Sequence, residues 1–218
     1  MKRPASLSLK IPTAKLCFLD KSHLIFNEWL GNDFINIICS SENNGARFKR
    51  ALIKLEKYSI GKEIIKTLHV ITTFKKIRIL IDLNSSNTGV IPDDIESASN
   101  FKGCGSVLMI NFNHNGINKN DGISMQDKDC IMLFHELLHV YHNAIGERVR
   151  IITKKDIYSP NLHEEAKTVG LGSFRNNYIT ENKLREEMGL PRRYNYDSVN
   201  DSDTILNLNG RFPLFPIK

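Results

Sequence analysis

The stretch "CIMLFHELLHVY", residues 130–141, is apolar on every side of a helix, so it is stable only as a rod buried inside a domain. Its ends are marked. Ser124 and Asp127 form an S-x-x-D start, Asp129 adds negative charge at the positive end of the helix dipole, and Gly146 supplies a stop. Yet this rod carries His135, Glu136 and His139. An ionised glutamate in such surroundings costs on the order of several kcal/mol unless a partner compensates it. A divalent cation does so directly, whereas a buried His–Glu hydrogen-bond network is the plainer alternative.

The spacing favours the cation. His135 and His139 are four residues apart and share one helical face, separated by about 6 Å along the axis. Both imidazoles can therefore reach one zinc ion at about 2.0–2.1 Å. Glu136 is rotated by about 100° from His135, which sets it beside the metal as a base for water rather than as a ligand. This is the H-E-x-x-H metallopeptidase pattern. His142 lies about 10.5 Å from His135 along the axis and cannot join the same tetrahedral ion, so it is read as packing or hydrogen-bonding at the helix end. The metzincin pattern needs Gly at 142 and His at 145, where this chain has His and Ile, and that class is excluded. A third ligand is then expected downstream in "NLHEEAKTVGLGS" (161–173), where Glu164 and Glu165 begin a helical pattern, with the fourth position left to water.

The rest of the chain supplies a frame for this helix. "DFINIICS" (33–40), "IRILIDL" (77–83) and "SVLMINFN" (106–113) read as strands, and "LIFNEWL" (24–30) as a short helix or strand. Residues 46–71 have apolar residues at helical spacing, interrupted near Ser59–Gly61, which predicts one kinked helix or two. "NHNGINKNDG" (113–122) is a loop, and its His114 has no partner at ligand spacing. One α+β domain over residues 21–218 follows, preceded by a polar leader at 1–20 that is either a specialised secretion signal or a frayed terminus. That leader has no apolar core or small-residue cleavage site, so it is not a Sec signal.

Composition narrows the partners. With 41% hydrophobic residues in 218, the chain can bury a core without disulfides. Cys17, Cys39, Cys104 and Cys130 form no C-x-x-C pair, which disfavours a four-cysteine zinc site and fits a reducing compartment. The net charge of +6 reads as scattered basic residues, so no nucleic-acid partner is expected. No run is long enough to span a bilayer, and no membrane partner is expected either.

Three segments, "HELLHVYHNAIG", "EEAKTVGLG" and "TENKLREEMGLPRRYNY", together resemble the NleD-type zinc metallopeptidase effectors that enteric and plant-pathogenic bacteria inject into host cells. The resemblance spans about residues 105–200. The chain is more distantly similar to clostridial neurotoxin light chains, which carry H-E-L-I-H with a further His, then E-E-x-x-T-x-G. A T-E segment follows there, with R-x-x-Y beginning twelve residues after its Glu. That order and spacing recur here. The resemblance implies that Glu165 is the third zinc ligand and that Glu181 orients a zinc-binding histidine. It also implies that Arg193 and Tyr196 bind the oxyanion, with Arg192 and Tyr194 as adjacent alternatives.

The expectation is thus a zincin-like α+β metallopeptidase of the gluzincin type, with a buried active-site helix, a small mixed sheet and a C-terminal helical part. Zn2+ is its cofactor, and "SVLMINFN" is the cleft's edge strand, along which a substrate could pair. The resemblance further implies export by type III secretion, with a secretion chaperone as a possible partner, and action in the host cytoplasm. It implies a host MAP kinase as substrate, cut in its activation loop. The alternatives are another host protein such as a membrane-trafficking component, or a zinc-stabilised module that binds a host protein without cutting it. Glu136 argues against the last, because a structural zinc site is closed by four ligands and needs no base.

Overall fold

A computed structural model describes residues 33–112, 122–149, 160–196 and 199–200. The leader, "LIFNEWL", Cys17 and His114 lie outside the described residues. The order is β1 (Ile35–Ile38), α1 (Glu42–Leu55), α2 (Ser59–Lys75), β2 (Ile79–Asp82), β3 (Gly89–Pro92), β4 (Ser106–Met109), α3 (Met125–Ile145), α4 (Pro160–Val169) and α5 (Glu181–Glu187). Two short strands follow, β5 (Asn195–Tyr196) and β6 (Val199–Asn200). The architecture is mixed α+β.

The sheet runs β1-β2-β4-β3, parallel across the first two pairings and antiparallel at the last. This corrects one expectation. β4, the core of "SVLMINFN", is interior, and the edge beside it is β3, which the sequence reading passed over. β3 contains Pro92, whose missing N–H suits an edge position rather than a central one.

The break near Ser59 separates two helices. Ser41 caps α1 by accepting from Asn44 N–H, whereas Tyr58 gives α2 no side-chain cap. The Glu187 carboxylate of α5 takes over that duty, accepting from Ile60 N–H at 3.3 and 3.4 Å and from the Ser59 hydroxyl. Gly61 is required where α2 starts, because a Cβ there would stand 2.1 Å from the Leu55 carbonyl oxygen.

Helix α3 is the axis of the core. Phe134, Leu137 and Leu138 pack with Leu52, Ile64 and Ile81, all fully buried. Its start is capped by Ser124, which accepts from Asp127 N–H at 3.1 Å, and its end by Gly146 at φ 80°, as the sequence predicts. Two ion pairs fasten α1 to its first turns. Arg47 grips Asp129 in a fork at 2.6 and 2.9 Å, and Lys54 meets Asp127 at 2.7 Å.

The basic residues are less scattered than they read. Residues 42–78 hold ten Lys or Arg against three Glu, a net of +7 where the whole chain has +6. Helices α1 and α2, with the turn that follows them, therefore carry the excess charge.

Candidate metal centre

Helix α3 presents His135 and His139 toward α4 and α5, and all three elements contribute carboxylates. The Nε2 atoms of His135 and His139 are 3.2 Å apart. Glu165 of α4 stands against both, with Oε2 at 2.9 Å from His135 Nε2 and Oε1 at 3.3 Å from His139 Nε2. The edge of a tetrahedron of zinc ligands at about 2.05 Å is about 3.3 Å, so these separations are those of atoms meeting on one ion.

The other ring nitrogens fix the tautomers. His135 Nδ1 donates to Glu181 Oε2 at 2.8 Å, and His139 Nδ1 donates to Glu164 Oε1 at 3.1 Å. An ionised carboxylate only accepts, so both Nδ1 atoms carry protons and each ring turns its Nε2 inward to Glu165. A divalent cation taking the place of the Nε2 protons would meet two nitrogen lone pairs and one carboxylate, a donor set that suits it. The local charge agrees. Burial opposes protonation, yet hydrogen bonds to Glu165 and Glu181 hold His135 up to about 10, and those to Glu164 and Glu165 hold His139 up to about 9. Burial likewise resists ionisation of the carboxylates, but the histidines keep Glu164 and Glu165 well below the usual range and Glu181 down to about 2. The cluster demands positive charge.

Glu136 occupies the flank. It is buried beside both imidazoles and Glu165, and its Oε2 has no hydrogen-bond partner among the described residues. Burial raises its pKa. A carboxylate oxygen left bare next to a cation-shaped cluster is placed to take a proton from a molecule entering it.

Glu181 is held on three sides. Arg185, one turn on, donates to its Oε1 at 2.7 Å; His135 takes Oε2, and Arg193 lies 3.5 Å from the same atom. The Arg193 guanidinium sits 4.5 Å over the ring of Tyr196, which stacks on the His135 ring at 6.0 Å and 7°. Tyr196 is pushed well above its ordinary pKa by burial and by Glu165, to which its hydroxyl is hydrogen-bonded. Arg193 and Tyr196 are thus brought to the cluster. Tyr194, the alternative, is 63% exposed and belongs to the surface.

Sequence reasoning missed the role of Glu164. It lies in the second turn of α4 with Glu165, not at the helix start. Its Oε1 accepts from His139 Nδ1 and from His142 Nδ1 at 2.6 Å, and its Oε2 accepts from Val149 N–H at 2.8 Å. His139, His142 and Glu164 also form a group of ligand type. Its short contacts are between protonated nitrogens and a carboxylate, so it orients His139 rather than holding a second ion.

The turn from α4 to α5 sets the spacing of these carboxylates. Gly170 ends α4 at φ 82°, and a Cβ there would lie 2.7 Å from Thr180 Oγ1, the hydroxyl that caps α5. A Gly170→Ala variant is expected to lose about 2 kcal/mol from left-handed strain and the clash. Thermal unfolding of the metal-free protein should read this as a drop of roughly 4–8 °C. An unchanged melting temperature would show that the turn relaxes freely.

A family model described as an effector protein, peptidase M91, matches residues 32–196, more than half of the chain. The match begins about a hundred residues before the first of the three segments that carry the resemblance. No curated protein and no solved structure matches the chain.

Proposed function

The chain belongs to the peptidase M91 family of NleD-type effector proteins, and from that premise we propose that it is a zinc-dependent endopeptidase of the gluzincin type. The observation that carries this reading is the convergence of His135 Nε2, His139 Nε2 and the Glu165 carboxylate with Glu136 unpartnered alongside. His135, His139 and Glu165 would hold the zinc. Bound there, it supplies a Lewis acid that brings water to a pKa of about 7 and polarises a carbonyl.

The chain's own residues do the rest. Glu181 and Glu164 keep the two imidazoles oriented with Nε2 inward. Glu136 accepts the proton of the attacking water and returns it to the leaving amine. Tyr196, braced by Arg193, stands where its hydroxyl can donate to the oxyanion. An extended substrate segment adds to β3, the antiparallel strand that packs near α3, along the edge that no described strand pairs.

The substrate in this reading is a host MAP kinase cut in its activation loop. Residues 1–20 serve as the leader for type III secretion and residues 21–218 form one catalytic domain. Incubating the zinc-loaded chain with candidate host kinases and weighing the fragments tests substrate and bond together. Cleavage should stop on addition of EDTA and return with zinc. Cleavage that persists in excess chelator overturns the zinc assignment, and intact kinases beside a cleaved generic peptide overturn the substrate.

A further inference from the structure

Two exposed Phe-Lys tips stand side by side at the end of the molecule where α2 and α3 finish. Phe74, 85% exposed, closes α2 in "TFKK", and Phe101, 69% exposed, lies in "NFKG". Val70, one turn before Phe74 on the same helical face, is 62% exposed. Lys75 ties the tips together, its Nζ donating to the Lys102 carbonyl at 2.8 Å and to the Ala144 carbonyl at 3.0 Å. Lys66, Lys76, Arg78 and Lys102 are exposed in the same two segments. The acidic groups of the neighbouring segment, Asp93, Asp94 and Glu96, are exposed, with Asp94 facing Lys102 and accepting from the Ser97 hydroxyl, and Glu147 is engaged by Lys167 at 3.4 Å.

The backbone makes this display deliberate. Among the described residues, Lys76 at φ 54° and Phe101 at φ 65° are the two non-glycine residues with positive φ. L side chains adopt that region at a cost, and a bulky residue that then stays in solvent recovers nothing by packing. Phe101 is held so by the C-cap of α3: its N–H donates to the Gly146 carbonyl at 2.9 Å, and a Cβ on Gly146 would stand 2.5 Å from Phe101 Cα.

We propose that this tip is a docking site for the surface of an anionic bilayer, Phe74, Phe101 and Val70 entering the interface and the surrounding lysines meeting lipid phosphates and carboxylates. The inference is independent of the peptidase reading. The charge that attracts such a surface is local, from Lys75, Lys76, Arg78 and Lys102, because Arg47 and Lys54 of α1 pair at the opposite end of α3. Single aromatic side chains projecting from turn tips form wedges, which suit an acyl-chain boundary. A purely acidic chain would meet the lysines but offer no apolar phase to the phenylalanines. No helix among the described residues is long and apolar enough to cross a membrane, so the contact is one of adsorption.

Sedimentation of the full chain with vesicles of phosphatidylcholine, with and without phosphatidylserine, tests it. Binding is expected only with phosphatidylserine, weakening as salt is raised. Replacing both Phe74 and Phe101 by Ala should lower partitioning about a hundredfold, and Lys76→Gln with Lys102→Gln about thirtyfold. Tyr178→Ala, an exposed aromatic elsewhere, should change nothing. Phe101→Gly suits the left-handed backbone, so it should keep its melting temperature while binding vesicles less, which separates lost docking from lost folding. The proposal fails if the wild type does not sediment with phosphatidylserine vesicles, or if the phenylalanine variants bind as it does. It also fails if poly-glutamate binds with the same dependence on Phe74 and Phe101, which would mark an acidic protein as the partner.

Discussion

A Glu136→Gln variant is expected to fold, bind one metal per chain and lose hydrolysis by about a thousandfold, the range of a single general base. The substitution keeps the shape of the side chain and removes its capacity to take a proton. It touches none of the atoms that converge on the cation site, because those belong to His135, His139 and Glu165. The protein should be no less stable than the wild type. Glu136 is buried with one oxygen unpartnered, so removing its charge also removes a desolvation penalty. Metal content, melting temperature and turnover measured on one preparation check all three parts. Hydrolysis within tenfold of the wild type would show that the proton goes elsewhere and that the proposed mechanism is wrong. A loss of metal together with activity would instead make Glu136 a ligand.

The parts of this site that could be read from the sequence are those that a local period encodes. His135 and His139 at i and i+4 on an all-apolar helix declare a shared face, and Ser124 and Gly146 mark where that helix begins and ends. The break between α1 and α2 was legible for the same reason, since the Ser59–Gly61 interruption is local chemistry, although it left one kinked helix or two open. Strand order is a long-range property, and nothing in "SVLMINFN" distinguishes an interior strand from an edge. β3 went unread because its four residues, Gly89–Pro92, begin with Gly and end with Pro and resemble a loop.

Glu164 was hidden by a different effect. The sequence offers Glu164 and Glu165 together as third-ligand candidates, and only the fold shows that one member is fully buried on the far ring nitrogens while its neighbour faces Nε2 of both histidines. A signal was nonetheless present. His139 and His142, three apart on a buried helix, each leave a ring nitrogen to be satisfied, and a carboxylate shared between them answers both. Glu181 and Arg185, at i and i+4, are the corresponding trace of the clamp on His135.

These adjacent glutamates lead to the second large expected effect, a contrast between two neighbouring alanine variants. Glu165→Ala should abolish stoichiometric zinc and with it activity, while costing the metal-free fold little. Its side chain is 20% exposed, and the partners it leaves are the Tyr196 hydroxyl and the two Nε2 atoms, whose Nδ1 bonds stay intact. Removing the carboxylate also takes away one of the two hydrogen-bonded carboxylates that raise each imidazole, so the facing rings are protonated less readily. Glu164→Ala should behave in the opposite way. That carboxylate is buried and accepts from His139, His142 and Val149, three donors that alanine strands away from water. Breaking such a buried charged network costs about 3–5 kcal/mol, so the metal-free variant should melt some 10 °C or more below the wild type. Metal analysis and calorimetry on the two variants separate the roles. Full zinc retention in Glu165→Ala would remove that residue from the ligand set. Equal melting temperatures for the two would mean that Glu164 and Glu165 share one task, which their differing burial and partners argue against.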